Sequence, residues 1–180
     1  MIDVIIENMV VSTALESSID LEKISSMNSD ASYLPDEFPG VVFHFDEIHM
    51  DVILLHDKIL SIGARNFDKA KEGILKVLEK LREQGFQIRE KTLEIENIIA
   101  SCDFETTLPL DKVKQGLMEE DVTYQPGEFP GLIYRYNDHI VFLVFQRGIV
   151  ICVGAKSVDE LLRVIKDFKE KLASIEGVAI

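Results

Sequence analysis

The chain is written twice. Residues 6–12, Ile-Glu-Asn-Met-Val-Val-Ser, recur at 95–101 as Ile-Glu-Asn-Ile-Ile-Ala-Ser, an offset of 89 residues (6 to 95). Glu37-Phe38-Pro39-Gly40 recurs as Glu128-Phe129-Pro130-Gly131, and Gly63-Ala64-Arg65 as Gly154-Ala155-Lys156, both at an offset of 91 (37 to 128, 63 to 154). Three anchors in one order at near-constant spacing require each half to build the same unit. The change in offset implies a small insertion in the second copy ahead of its Phe-Pro-Gly. Two copies are too few for a solenoid. A pseudo-two-fold domain is expected, with residues 1–90 as the first repeat and 91–180 as the second, integrated into one body.

Within each copy the pattern reads strand, short helix, several strands, long helix. Ile2–Thr13 and Leu93–Asp103 are rich in β-branched residues and open each copy as a strand. Asp20 and Asp111 stand where a short helix would take an N-cap. Strands are expected at Val41–Phe45, Val52–His56 and Ile59–Ile62, matched by Leu132–Tyr136, Ile140–Phe145 and Ile149–Val153. Ala70, Ile74, Leu78 and Leu81 recur at helical spacing and Gly85 ends that helix. Leu161, Ile165, Phe168 and Leu172 repeat the stripe, with Ser157 and Glu160 as a capping box.

The strands carry the functional clue. Ile140–Phe145 and Ile149–Val153 are apolar at both parities, so both faces of the sheet avoid water. Each copy supplies only one long and one short helix, which cover one face. The other is either a binding surface or is buried by stacking the two copies sheet on sheet; periodicity leaves both open.

Composition removes several classes of function. At 180 residues and 47% apolar content, the chain fills one large domain or two small ones. No stretch approaches the roughly 18–20 apolar residues that span a bilayer, and the first residues lack the basic region and cleavage site of a signal peptide. Cys102 and Cys152 lie in apolar runs, are too few for a disulfide framework and read as packed core thiols of a reducing compartment. His44, His49, His56 and His139 show no metal-ligand spacing. With no phosphate-cradling Gly-rich loop and no nucleophile elbow, no enzyme activity, metal or cofactor is expected. Acidic residues number 32 against 19 basic, a net charge of −13, which taken alone argues against nucleic acid and anionic membranes.

The twice-written Glu-Asn-(Met/Ile)-(Val/Ile), Glu-Phe-Pro-Gly and Gly-Ala-(Arg/Lys), with Phe129-Pro-Gly-Leu-Ile-Tyr-Arg135 and Gly154-Ala-Lys-Ser157, resemble the TATA-box-binding protein family in its short archaeal form. The resemblance covers nearly the whole chain. It implies an α+β fold: a pseudo-two-fold saddle, one continuous curved antiparallel sheet from two repeats with helices on the convex face. It implies a general transcription initiation factor that binds the minor groove of A·T-rich promoter DNA and bends it by inserting side chains. The implied wedges are Phe38 with Leu54 and Phe129 with Phe145. The implied groove face holds Asn8, Val10, Val52, Leu60 and Ile62, with Asn97, Ile99, Leu143, Ile151 and Val153. Implied phosphate contacts are Lys58, Arg65, Arg135, Arg147 and Lys156. The loop at Gln125, Gly127 and Glu128 is the implied partner surface. Implied partners are double-stranded DNA, a TFIIB-like transcription factor B, RNA polymerase and, without DNA, a second copy through the concave face. The compartment is the cytoplasm in an archaeon or the nucleus in a eukaryote.

The first copy departs further from the family pattern. Leu54 stands where an aromatic wedge is usual, Asp57 replaces a hairpin glycine, and His44 occupies the position of Arg135. Ile62 and Val153 replace a threonine. Residues 1–64 hold only Lys23 and Lys58 against twelve acidic residues. These departures set up the alternative, a divergent paralogue whose apolar face binds mainly protein or altered promoter sequences.

Overall fold

Each copy folds as a strand, a short helix, an antiparallel meander of three strands in the first copy and four in the second, and a long helix. A computed structural model describes residues 2–180. The first copy comprises β1 (Val4–Ala14), α1 (Leu21–Met27), β2 (Val41–Phe45), β3 (Met50–Leu54), β4 (Lys58–Ala64) and α2 (Phe67–Glu83). The second comprises β5 (Glu94–Asp103), α3 (Leu110–Gly116), β6 (Val122–Thr123), β7 (Leu132–Arg135), β8 (Val141–Val144), β9 (Ile149–Ala155) and α4 (Val158–Ala173). The chain divides into two compact units. One is Asn8–Glu96; the other joins the start of the chain, up to Glu7, to Asn97–Ile180. Strand order is β2-β3-β4-β1 in the first and β5-β9-β8-β7-β6 in the second, antiparallel throughout. The α+β class expected from the sequence is the one the structure has.

The long helices form where the apolar stripe predicts them. Ala70, Ile74, Val77, Leu78 and Leu81 of α2 are buried, as are Leu161, Val164, Ile165, Phe168 and Leu172 of α4. Asn66 caps α2 by accepting from the Lys69 N–H at 2.9 Å, and Ser157 caps α4 by accepting from the Glu160 N–H at 3.0 Å. Asp20 caps α1 in the same way. Asp111 does not cap α3: Pro109 holds the N-cap position and Asp111 lies inside the first turn. Gly85 follows the α2 C-cap with φ +92°, a left-handed conformation that suits glycine. The two extra residues of the second copy fall between α3 and β6. Leu21 and Leu110 still open their helices at the offset of 89, whereas the Ser32–Val42 bridge matches the Thr123–Ile133 pair at 91.

One face of each sheet packs on its long helix. α2 lies on β3 and β4, and Gly73 of α2 lets the Met50 side chain and Val52 pack close against the helix backbone. In the second unit Phe142 of β8 stacks on Phe168 of α4, centroids 4.3 Å apart and planes at 15°.

The register of β3 corrects the sequence reading. Val41, Val42 and Phe43 oppose Leu54, Ile53 and Val52; Leu132, Ile133 and Tyr134 oppose Val144, Leu143 and Phe142. Val41 and Leu132 are equivalent at the offset of 91, so β3 and β8 are related by 90 (54 to 144). The cause is a pair of compensating loop changes. Four residues separate the Phe45–Met50 pair, but three lie between Tyr136 and Ile140, where the Tyr136 N–H donates to the Ile140 carbonyl. The next hairpin reverses this. Leu55 N–H to Lys58 carbonyl, 2.7 Å, encloses two residues, whereas Phe145 N–H to Ile149 carbonyl, 2.9 Å, encloses three and ends in Gly148 at φ +90°. The anchors on either side keep their spacing while β3 slips by one residue, which exchanges its faces. Ile53 therefore corresponds to Leu143 and Leu55 to Phe145. Val52 and Leu54, expected on the open face, are both 0% exposed on the helix side. Asp57 likewise replaces no glycine, because the first hairpin lacks that residue altogether.

Candidate nucleic-acid interface

Each unit keeps one sheet face free of helix, and strand alternation decides what it presents. In the first unit these side chains are Asn8 and Val10 of β1, Leu60 and Ile62 of β4, Ile53 of β3 and Val42 of β2. Beyond Ile53, which is 9% exposed, all are half-buried. In the second unit they are Asn97 and Ile99 of β5, Ile151 and Val153 of β9, Leu143 of β8 and Ile133 of β7, all half-buried. Partly exposed apolar side chains side by side form the kind of patch that monomeric proteins keep small. Val42, Ile53, Leu55 and Ile133 were missed by the sequence reading. The lengths of the two hairpins were the signal that could have found Ile53 and Leu55.

Asn8 and Asn97 occupy equivalent, constrained positions. Asn8 Oδ1 accepts from the Gly63 N–H and Asn97 Oδ1 from the Gly154 N–H, each at 2.8 Å. Both glycines sit at a bulge in the strand pair with φ of +99° and +109°. A Cβ on either would strike the carbonyl oxygen of His49 or His139. The Gly-Ala repeat is thus a backbone requirement, and the asparagine is the clamp that satisfies the bulged N–H. Because a backbone N–H can only donate, the side-chain oxygen is fixed inward. The Nδ2 donors are left without a partner among the described residues.

Beside this surface lie the Phe-Pro-Gly turns. Phe38 is 42% exposed, and its Cε1 lies 2.8 Å from where a Gly40 Cβ would stand, with Leu55 Cδ2 at 3.0 Å. At Gly131 the same position is 2.8 Å from Phe129 Cε1 and 3.0 Å from Phe145 Cε1. Phe129 and Phe145 meet edge to face, 5.9 Å apart at 70°. Glycine is needed after each proline so that the ring can lie over the backbone. The neighbour of Phe38 is Leu55, and the buried Leu54 is not at this site.

The cations are distributed unevenly. Arg65, Arg147 and Lys156 are exposed. Arg135 is exposed and lies 3.4 Å from Asp121. Lys58 is paired with Glu96, which also accepts from the Ser12 hydroxyl at 2.7 Å. Opposite Arg135 stands Val141, but the equivalent strand pair in the first unit is His44 and Asp51, 2.8 Å apart. Gln125, Gly127 and Glu128 are exposed on a turn closed by the Glu128 and Phe129 N–H groups donating to the Gln125 carbonyl. The Lys156 N–H donates to Glu160 Oε1 at 3.0 Å; that bond, with His139 alongside, holds the Glu160 carboxyl below the usual carboxylate range.

The thiols take no part in this surface. Burial pushes Cys102 up to about 11 and Cys152 up to about 12, so both remain neutral thiols packed in the core. Among the described residues no helix is long and apolar enough to cross a membrane.

A family model described as transcription factor TFIID, or TATA-binding protein, matches residues 3–84 and 92–175, one match to each repeat. A TATA-box-binding protein of Picrophilus torridus is 33% identical over 173 residues, covering 94% of both chains. That of Archaeoglobus fulgidus is 32% identical over the same span. The solved structure of Methanococcus jannaschii TBP superimposes with a TM-score of 0.83 at 31% identity, covering 94% of this chain and 97% of that one. With its duplicated units, its clamped glycines and this likeness along nearly its whole length, the chain belongs to the TATA-binding protein family of transcription factors.

Proposed function

We propose that the chain is a transcription initiation factor that binds the minor groove of A·T-rich promoter DNA and bends it. The observation that carries this reading is the pair of asparagines in equivalent positions, each with its amide donors free beside a half-exposed apolar surface. The minor groove offers acceptors on every A·T pair and a protruding amino donor on G·C pairs. A surface of aliphatic side chains with few donors therefore favours A·T. Unstacking a base step costs roughly a few kcal/mol, offset by the additional surface that bent DNA brings into contact. Phe129 with Phe145, and Phe38 with Leu55, are the wedges. Arg65, Arg135, Arg147, Lys156 and Lys58 contact phosphates, Arg135 after leaving Asp121 and Lys58 after leaving Glu96. A TFIIB-like transcription factor B docks at Gln125–Glu128, and RNA polymerase follows. The net charge of −13 is tolerated because apolar contact and DNA deformation carry recognition.

The test is energy transfer across a doubly labelled TATA duplex, with a G·C-rich duplex as control. Bending of the first alone is expected; no bending at micromolar protein and moderate salt would refute the reading. A second reading is favoured by the acidic first unit, where Asp51 lies on the open face and Lys58 is neutralised. There the apolar face would mainly cover protein, including a second copy. It requires a dimer that DNA does not dissociate, which sedimentation with and without the duplex decides.

A further inference from the structure

The edge of the first unit's open face carries a histidine where the second unit carries an arginine. We propose that His44, in its imidazolium form, is a proton-gated phosphate contact, so that the first unit engages DNA more tightly as pH falls. This inference rests on the DNA-binding reading above.

The geometry is built for it. His44 of β2 and Asp51 of β3 stand directly opposite each other, and His44 Nδ1 lies 2.8 Å from Asp51 Oδ1. A carboxylate can only accept, so the proton of the neutral ring sits on Nδ1. Nε2 is then an acceptor facing the Ser32 hydroxyl at 3.2 Å. Protonation turns Nε2 into a donor, and the Ser32 hydroxyl can rotate to accept. Both side chains are close to half exposed, 45% for His44 and 46% for Asp51, so a phosphate oxygen can reach Nε2.

With the ring neutral, this strand pair presents a lone carboxylate to a polyanion; with the ring charged, it presents a neutral pair whose Nε2–H a phosphate oxygen can take over from the Ser32 hydroxyl. The equivalent residue in the second unit, Arg135, is a permanent cation that faces Val141 of β8, and its carboxylate neighbour Asp121 lies on its other side at 3.4 Å. Other charged groups lie around His44. They are Lys76 and Lys80 of α2, Asp30 ahead of β2, and Asp46 and Glu47 after it. Asp30 and Lys80 neutralise each other at 2.9 Å. The phosphate field of bound DNA further favours the imidazolium, so binding takes up a proton.

The experiment is equilibrium binding of the full chain to a labelled TATA duplex between about pH 8 and about pH 6 at constant ionic strength. Affinity should rise by about threefold or more as the pH falls, with a ceiling of about tenfold per pH unit for one proton. His44→Gln should hold the weak, high-pH affinity across the range. His44→Arg should hold the strong one, and melting curves confirm that both variants fold. A His44→Gln variant with the wild-type pH gain would overturn the proposal and move the proton to another group, such as His56 at the neighbouring hairpin. DNA binding that is flat in pH overturns this inference alone, whereas no binding at any pH overturns the DNA-binding reading with it.

Discussion

The two units share a strand order, a clamped bulge and a Phe-Pro-Gly turn, yet fill their cores and dress their open faces differently. Under α4, Tyr134, Phe142 and Phe168 stack, with Tyr136 edge-on to two of them. The same positions under α2 hold Phe43, Val52, Val77 and Phe45, with no ring-on-ring contact. One device survives in both: Lys80 lies over the Phe43 ring and Lys171 over Tyr134, at 5.7 and 5.6 Å. On the open faces, Leu55 is the counterpart of Phe145, Asp51 of Val141 and His44 of Arg135. The conserved features are those the backbone cannot form without; the divergent ones are side chains whose replacement leaves the chain path intact. The second unit thus combines the more aromatic core with the more DNA-compatible face.

The core difference makes the largest prediction. Phe142→Ala removes the ring that stacks on Phe168 and should cost about 3–5 kcal/mol in urea unfolding. Val52→Ala, at the equivalent buried position, should cost roughly 1–2 kcal/mol for the two carbons removed. Equal losses would break the comparison, because they would mean that the ring stack adds nothing to the second core.

The register of β3 makes the next. Leu54→Phe puts a larger side chain into a fully buried site and should destabilise the protein by roughly 1–3 kcal/mol without improving DNA bending. Leu55→Phe recreates the Phe129–Phe145 arrangement beside Phe38 and should increase bending and affinity several-fold at little cost in stability. Bending gained by Leu54→Phe, and not by Leu55→Phe, would mean that the two faces of β3 had been exchanged.

That pair of neighbours also marks where the sequence stops being legible. The duplication, the helices and the clamped glycines can be read directly, because helical periodicity and left-handed backbone leave residue-specific signatures. β3 does not offer one, since Val52, Ile53 and Leu54 are apolar in both directions and no alternation fixes the inward set. An added residue before β3 and a lost one after it leave the count between the anchors unchanged. Only Asp51, polar and on the parity of Ile53 and Leu55, points to the correct face. β6 escaped notice for a simpler reason: two residues, Val122 and Thr123, carry no period.

The smallest prediction concerns one atom. Ser61 of β4 lies between Val11 and Val52, is 0% exposed, and its hydroxyl has no hydrogen-bond partner among the described residues. Its counterpart in β9 is Cys152, between Ala100 and Phe142. A buried hydroxyl without a partner costs about 1–3 kcal/mol in lost hydration, whereas a thiol behaves as a small apolar group. Because burial pushes the Cys152 thiol up to about 12, such a group stays uncharged near neutral pH. Ser61→Cys should therefore stabilise the protein by about 1 kcal/mol, seen as a higher urea midpoint at an unchanged slope. Ser61→Ala should gain less, because it leaves a small void. Cys152→Ser should lose a similar amount, since it carries the first unit's defect into the second. If the two swaps shift the midpoint in the same direction, the difference between the cores does not lie in this hydroxyl, and the aromatic stack is left as its main source.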